Sequence, residues 1–270
     1  MNDTQNISLD LFRNFLEICN KLNLKWYMIN GSALGAVKYG GFIPWDDDID
    51  VGMPRKDYEI FLKEAQSLLP EHIFLQNYRT DKYFPHIFSK LRNSNTTFIE
   101  RSIKHLNMNH GMYIDIFPLD NYPDDPETQK TFNRKKKVLV WKCVCNIKNN
   151  LSFKVKLRNC FVKLLGYGKR THKSLAHLEK LISAFPENSK TFCNHGDRMR
   201  KKQCVSKEIY GNGCEMMFEG IKVNIPEKYD EYLTHKYGNW RADPPKEQQN
   251  SHHHTTICDP KKPYSEYIEF

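Results

Sequence analysis

The stretch Ile29–Val51 reads INGSALGAVKYGGFIPWDDDIDV and places a Gly-Ser pair shortly before an acidic cluster of Asp46, Asp47, Asp48 and Asp50. Four neighbouring carboxylates repel one another, so a folded protein keeps them ionised when a cation lies among them, usually a divalent metal. The backbone N–H groups and the hydroxyl of Gly31-Ser32 suit a phosphate. The stretch therefore predicts a metal and a phosphate site side by side, a combination typical of phosphoryl chemistry.

The acidic cluster runs into a predicted β-strand. The segment Asp48–Val51 alternates polar and apolar residues, which is the period of a strand. Because residues i and i+2 share one face, Asp46, Asp48 and Asp50 point together, while Asp47 points the other way. Two or three carboxylates suffice for Mg²⁺, which keeps waters for substrate phosphates. We therefore predict that Asp48 and Asp50 bind Mg²⁺ or Mn²⁺.

A third acid is expected on a neighbouring strand. Asp115 is the single charged residue in the apolar run Met112–Phe117. A carboxylate in a buried strand costs free energy unless it is paired or binds a metal. A third metal ligand is the favoured interpretation, and a cap or a salt bridge to a lysine is the alternative.

Hydrophobic periodicity predicts a small mixed sheet flanked by helices, an α+β (α/β) fold. Helical spacing covers Leu9–Leu22, Ala33–Tyr39 and Tyr58–Leu69. The predicted strands are Trp26–Ile29, Asp48–Gly52, Ile73–Gln76, Ile87–Arg92 and Met112–Phe117. These elements make residues 1–127 the predicted catalytic core.

A Gly-Ser pair, a strand carrying Asp-x-Asp and a later lone acid form the pattern of the nucleotidyltransferase superfamily. The strings Gly31–Ala36 and Gly41–Asp50 more closely resemble the LicD family, the phosphocholine transferases of bacterial surface glycans, to which the fukutin group is related. Other similar segments are Lys90–Arg92, Asn95–Thr97, Tyr113–Asp120, Phe218–Gly220, Tyr237–Gly238 and Ser251–His253. The usual Arg-His pair of the family is Lys38-Tyr39 here.

The resemblance implies a nucleotidyltransferase-like fold and transfer of phosphocholine, or a similar phospho-substituent, from CDP-choline or a related CDP-linked donor. The acceptor would be a hydroxyl of a cell-surface glycan such as lipopolysaccharide or teichoic acid, and a lipid-linked glycan would fit the membrane interpretation of the basic insert given below. Asp48, Asp50 and Asp115 would be both metal ligands and catalytic residues. The predicted substrate contacts are Gly31, Ser32, Lys38, Trp45, Asp46, Lys90, Arg92, His252 and His253.

Several of these predictions have alternatives. Lys90 and Arg92 share a strand face and either contact a diphosphate or balance the carboxylates. Trp45 either stacks on a base or a quaternary ammonium, or packs in the core. The same three acids would also serve transfer of a nucleotide to a sugar or small molecule, or transfer of ribitol or glycerol phosphate. A non-catalytic glycan-binding scaffold is disfavoured because it would have no reason to keep these carboxylates.

The span 128–178 contains no Asp or Glu, and its many lysines and arginines alternate with apolar residues. This composition predicts helices with one basic face, and we assign 128–200 to a basic helical insert. The insert either lies on an anionic membrane surface or packs on the core as a solvated element. Nucleic acid is not an expected partner, because no RNA-binding signature accompanies the charge. Residues 201–270 are predicted to return to the core.

The chain has 270 residues, of which 39% are hydrophobic, enough to form the buried core of an enzyme. Its net charge is +9. The chain shows no signal peptide and no run long enough to span a membrane, so we expect a cytoplasmic enzyme, with peripheral contact at the inner membrane face as an addition. Eight cysteines without a Cys-x-x-Cys pair are expected to be reduced. A zinc site of Cys193, His195, Cys204 and Cys214 is disfavoured by its irregular spacing.

Overall fold

The acidic stretch is built into a mixed β-sheet. The computed structural model of the protein describes residues 1–147, 152–197, 202–250 and 254–268. The strands in these ranges are β1 Tyr27–Met28, β2 Asp50–Pro54, β3 Ile73–Gln76, β4 Ser89–Asn93, β5 Thr97–Glu100, β6 Met112–Tyr122, β7 Thr191–Cys193, β8 Cys204–Ser206, β9 Cys214–Phe218, β10 Ile221–Ile225 and β11 Thr255–Asp259.

The main sheet has the strand order β1-β2-β6-β4-β3, with β7 paired to the end of β6 and β8 paired to β7. Strands β2 and β6 are parallel, and the other neighbours in this sheet are antiparallel. Two further antiparallel pairs, β9 with β10 and β5 with β11, lie outside it. The long strand β6 is therefore the central strand, with β2 and β4 on its two sides.

Helices cover this sheet. In the described part of the chain they are α1 Asp3–Leu22, α2 Asn30–Tyr39, α3 Arg55–Glu64, α4 Pro126–Cys143, α5 Phe153–Leu164, α6 Thr171–Ile182, α7 Lys207–Tyr210 and α8 Tyr229–Tyr237. The predicted α+β class, a mixed sheet flanked by helices, is confirmed. None of these helices is both long enough and apolar enough to cross a membrane.

Two predicted boundaries near the acidic stretch were wrong. Strand β2 begins at Asp50, so Asp48 lies in the loop before it and not on the strand. Helix α2 begins at Asn30, so Gly31 and Ser32 belong to its first turn and not to a turn that precedes it. Hydrogen bonds to other elements hold this region: Gln5 and Ser8 of α1 donate to the carbonyls of Asp46 and Asp47, and the Asp50 N–H donates to Ser32 of α2. A local hydrophobic pattern does not contain such contacts.

The C-terminal part of the chain contributes to the same core as the sheet. Phe218 of β9, Ile225 of β10 and Tyr232 of α8 are fully buried in one cluster with the apolar side chains of α1, α2 and β2. The fully buried face of α1 includes Phe12 and Phe15. The chain therefore returns across the molecule to cover α2, the helix that starts beside the acids.

Helices α4 and α6 pack at the other end of β6. Phe132, Leu175, Leu178 and Ile182 form a second buried cluster with Tyr122 at the end of that strand. This part of the basic segment thus has its own apolar contact with the sheet. The predicted borders at 127/128 and 200/201 stay predictions.

An ion-pair network fastens α6 to the core. Arg55 at the start of α3 makes two hydrogen bonds to Asp120 of β6, at 2.7 and 2.8 Å, and one of 3.2 Å to Glu179 of α6. Burial of Asp120 raises the pKa of its carboxyl, and Arg55 opposes that rise. The two hydrogen bonds fix the orientation of the Arg55 side chain, and its positive charge compensates the buried Asp120 carboxylate.

Candidate functional site

Strand register brings two of the predicted ligands side by side. In the parallel pair β2·β6, Asp50 is directly opposite Asp115, and in the antiparallel pair β4·β6, Lys90 is also opposite Asp115. Residues in register on adjacent strands point to the same face of a sheet. Asp48 joins them from the loop before β2, and one carboxylate oxygen from each of the three acids lies within 4.8 Å of the others.

Hydrogen bonds from the start of α2 fix Asp50. The Asp50 N–H donates to the Ser32 hydroxyl at 2.8 Å, and the Asn30 side-chain amide donates to the Asp50 carboxylate at 3.0 Å. The Asn30 N–H donates in turn to the Tyr232 hydroxyl at 3.2 Å. Asn30 has a left-handed backbone, with φ of 50°, which asparagine tolerates better than most residues. The helix start, the strand start and α8 are thereby held as one unit.

The electrostatics of the site favour a cation. Burial, followed by the nearby charges of Asp48 and Asp115, raises the pKa of Asp50 well above its ordinary value. Burial also raises the pKa of Asp115, against the lowering effect of Lys90, whose ammonium lies 2.6 Å from one Asp115 oxygen. Lys90 thus lies beside a group of three carboxylates. A cluster of carboxylate oxygens of this kind fits Mg²⁺ or Mn²⁺.

Comparison with known proteins gives the chain its relatives. A model of the LicD/FKTN/FKRP nucleotidyltransferase domain matches residues 23–154, the range that contains all three acids. The lipopolysaccharide cholinephosphotransferase LicD of Haemophilus influenzae is 23% identical across 94% of this chain and 96% of its own length. Residues 23–154 form a LicD-family domain. An uncharacterized protein of Rickettsia prowazekii is 32% identical, over 42% of this chain and 39% of its own length.

In this LicD-family chain, Lys90 and Arg92 share a strand face as predicted, and both lie over the ring of Tyr113, at 3.1 and 4.8 Å from its centroid. Arg92 is nevertheless fully buried and donates to the Gln76 side chain and, at 2.5 Å, to the carbonyl of Gly111. A phosphate contact by Arg92 does not fit this position. Lys90 is also buried and forms an ion pair with Asp115. This contact fits the alternative interpretation, in which Lys90 balances the charge of the carboxylates.

The predicted phosphate contacts at the start of α2 have internal roles. Ser32 is buried, and its hydroxyl accepts from the Asp50 backbone, so it positions a candidate ligand. A Cβ atom added at Gly31 would lie 2.8 Å from an Asp46 carboxylate oxygen, so Gly31 packs directly against the Asp46 side chain. Direct substrate contact by Gly31, Ser32 and Asp46 stays a prediction.

At the other end of α2, Lys38 is ion-paired. Its ammonium lies 2.6 Å from Asp243, and the hydroxyl of Tyr39 donates to the same oxygen, also at 2.6 Å. Trp45 is partly exposed and packs edge-on against Tyr39, with the ring centroids 6.3 Å apart. Trp45, one residue before Asp46, is thus paired with an aromatic residue of α2. The substrate roles of Lys38 and Trp45 stay predictions.

The remaining residues considered from the sequence are two histidines and a disfavoured zinc group. His252 and His253 lie outside the described residues. Cys193 and Cys204 face each other across β7 and β8, but Cys214 lies on the separate β9–β10 hairpin. Within the described ranges, Asp48, Asp50 and Asp115 form the one group of acids, histidines or cysteines close enough to share a metal.

Sequence reasoning missed the residues that hold the acidic loop. The Gln5 side chain donates to the Asp46 carbonyl at 2.8 Å, so α1 carries part of the loop. The Glu219 carboxylate accepts from the Phe42 N–H at 3.1 Å, and its own N–H donates to the Gly40 carbonyl at 2.8 Å. The resemblance of Phe218–Gly220 to the family pattern could have pointed to Glu219. No sequence pattern pointed to Gln5.

Glycine at position 35 is expected to be required for the site. A Cβ at Gly35 would collide with the carbonyl oxygen of Gly41, so Gly35→Ala must move the loop that leads to the acids. We expect a loss of about 1–3 kcal/mol in the free energy of unfolding together with weakened metal binding. Urea unfolding and Mn²⁺ titration measure the two effects.

The matched control is Gly166→Ala, at a left-handed position with φ of 79° and open space around it. This variant is expected to lose about 1 kcal/mol through backbone strain while its metal affinity stays unchanged. Equal metal affinity in wild type and Gly35→Ala would contradict the idea that this packing positions the acids.

Proposed function

We propose that this LicD-family protein is a metal-dependent transferase that moves phosphocholine, or a similar phospho-substituent, from a CDP-linked donor to a hydroxyl of a cell-surface glycan. The observation that carries the proposal is the convergence of Asp48, Asp50 and Asp115 within 4.8 Å. It is supported by the end-to-end similarity to a lipopolysaccharide cholinephosphotransferase. The acceptor class, a cell-surface glycan, follows the lipopolysaccharide in the name of that relative.

Asp48, Asp50 and Asp115 would hold the divalent ion in this proposal. When bound, the ion would offset the negative charge that develops on the donor phosphates during displacement. Asn30 and Ser32 keep Asp50 in place, and Lys90 does the same for Asp115. The site therefore supplies ligands that are already oriented, which lowers the cost of assembling the reactive geometry.

The proposed transfer balances as a single displacement. The acceptor oxygen forms a bond to the phosphorus of the phosphocholine group, and the bond from that phosphorus to the bridging oxygen of CMP breaks. Asp115, or one of the other two acids, takes the proton of the acceptor hydroxyl.

The aromatic pair Tyr39 and Trp45 is our candidate contact for the trimethylammonium group of choline. Trp45 is partly exposed and immediately precedes the acidic cluster. A quaternary ammonium is attracted to the face of an indole ring. Ribitol and glycerol carry no positive charge, so donors with these groups would not make this cation–π contact. In this proposal the aromatic pair therefore favours a choline donor.

A donor panel tests the proposed reaction. With Mg²⁺ present, the protein is incubated separately with CDP-choline, CDP-ribitol, CDP-glycerol and CTP, and nucleotide products are followed by chromatography. We expect CMP from CDP-choline, with slow hydrolysis even when no acceptor is added. CMP from another donor alone would replace phosphocholine by that substituent, and pyrophosphate from CTP would favour nucleotidyl transfer.

Chelation tests the metal requirement in the same assay. EDTA is expected to stop CMP formation, and excess Mg²⁺ or Mn²⁺ is expected to restore it, because the three carboxylates have no other way to bind a donor diphosphate. A buffer-exchanged sample without chelator is the control for inactivation. Turnover that persists in EDTA would refute the metal-dependent mechanism.

A further inference from the structure

Helix α5 presents an apolar stripe to solvent. Phe153 and Leu164 are each 80% exposed, Leu157 is 63% exposed and Phe161 is 61% exposed. Residues spaced by four, four and three positions fall on one side of an α-helix. The buried residues of α5, Asn159 and Val162, lie on the other side. The helix therefore faces the protein with one side and exposes a larger apolar face on the opposite side.

This arrangement distinguishes α5 from its neighbours. The apolar residues Phe132 of α4 and Leu175 and Leu178 of α6 are buried in a shared cluster. Those two helices fit the interpretation of an insert packed on the core. Helix α5 does not, because four large apolar side chains in one stripe stay in water. Contiguous exposed apolar surface of this kind marks an interaction site.

Basic residues border the stripe on both sides. Lys154 lies at one edge, and Lys156 and Lys163 lie at the other, by the helical spacing of α5, and all three are exposed. No acidic residue occurs anywhere between 128 and 178. An apolar face flanked by lysines is the pattern of a helix that lies in a membrane interface, where lysine stems reach past the apolar face to the headgroups.

The positive charge beside the apolar stripe decides which kind of partner fits α5. A second copy of α5 would bring lysines against lysines, and like charges oppose that contact. A nucleic acid would pair with the lysines but would leave the apolar stripe in water. An anionic lipid surface satisfies both the lysines and the stripe. We propose that α5 docks this protein on anionic membranes through Phe153, Leu157, Phe161 and Leu164.

Vesicle flotation tests the proposal without any enzymatic readout, so its failure is separate from failure of the proposed reaction. The full chain is mixed with phosphatidylcholine vesicles, with or without phosphatidylglycerol. We expect binding to the vesicles that contain phosphatidylglycerol, weakening as salt is raised. No binding of the wild type at low salt would overturn the proposal.

Variants locate the contact. Phe161→Ser combined with Leu164→Ser is expected to weaken vesicle binding by about tenfold or more, since two large side chains no longer leave water. Lys154→Gln combined with Lys156→Gln should weaken it by about fivefold per lysine. The matched control is Ile60→Ser combined with Met217→Ser, which removes exposed apolar residues outside the basic segment and should bind like the wild type.

A fluorescent probe tests whether the stripe enters the lipid. Cys160 of α5 and Cys258 of β11 are both exposed cysteines. An environment-sensitive dye on Cys160, in a Cys258→Ser background, is expected to shift to the blue with anionic vesicles, whereas a dye on Cys258, in a Cys160→Ser background, is not. Equal shifts at both positions, or a wild-type dimer that the Phe161/Leu164 variant dissociates without any vesicle binding, would overturn the proposal.

Discussion

Asp50→Asn is expected to lower turnover by about 10³-fold or more and, in the absence of metal, to stabilise the fold at neutral pH. Removing one ligand from a three-carboxylate site removes charge where the donor phosphates need a metal. Burial, followed by repulsion from Asp48 and Asp115, raises the pKa of Asp50, and the substitution removes both costs of its charge. We expect a gain of about 1–2 kcal/mol in the free energy of unfolding, the usual scale for relieving strain at a functional site. CMP formation and urea unfolding in EDTA measure the two effects.

The gain in stability has a defined pH dependence. The folded protein holds the Asp50 proton more tightly than the unfolded chain, whose aspartates have pKa values of about 3.9. The metal-free wild type therefore loses stability as pH rises from about 4 through the raised pKa. Asp50→Asn should flatten this decline, and the two proteins should converge at acidic pH.

Asp47→Asn is the matched control, because Asp47 lies next to Asp48 in the sequence but outside the group that converges on the metal position. It is expected to keep wild-type turnover and the wild-type pH profile. Loss of turnover in Asp47→Asn equal to that in Asp50→Asn would show that the acidic loop acts through its total charge and not through three specific ligands.

Lys90→Met is expected to destabilise the protein by about 3–5 kcal/mol at neutral pH, because it leaves Asp115 charged and buried without its ion pair. The Lys90 side chain is 3% exposed and that of Asp115 is 11% exposed, so water cannot replace the lost contact. Methionine preserves the volume of the side chain, so the effect reports charge and not a cavity. Urea unfolding in EDTA measures it.

The pH dependence separates this explanation from a packing defect. Without Lys90, the pKa of Asp115 should rise further above its unfolded value, so the deficit shrinks as pH falls and the carboxyl takes up a proton. Lys222→Met is the control, since its ion pair with Glu215 leaves both side chains 74% exposed and should contribute less than about 1 kcal/mol. A deficit in Lys90→Met that is the same at every pH would contradict the charge explanation.

The acids themselves could be predicted from the sequence because the evidence for them is local. Alternation around Asp50 and the apolar run around Asp115 each predict a strand, and a carboxylate in such a strand needs a cation. The placement of Asp50 directly opposite Asp115 depends on the pairing of β2 with β6, which are far apart in the chain. The family resemblance implied that Asp50 and Asp115 belong to one site, and the strand register explains why they lie side by side.

Contacts between distant segments account for what the sequence did not predict. Strand period placed Arg92 beside Lys90, but the Gly111 carbonyl and Gln76 bury it. The Lys38 side chain forms an ion pair with Asp243, and Gln5 and Glu219 bind the acidic loop. Hydrophobic periodicity predicts none of these contacts. The alternation of basic and apolar residues in 128–178 predicted helices, but only packing decides which apolar face is buried.

Binding of Mn²⁺, followed by electron paramagnetic resonance in wild type, Asp50→Asn and Asp47→Asn, tests the central claim most directly, because it needs neither donor nor acceptor. We expect saturable binding in wild type and Asp47→Asn and at least about tenfold weaker binding in Asp50→Asn. Saturable binding of equal affinity in all three proteins would show that the ion binds elsewhere, and the account of a metal held by Asp48, Asp50 and Asp115 would be wrong.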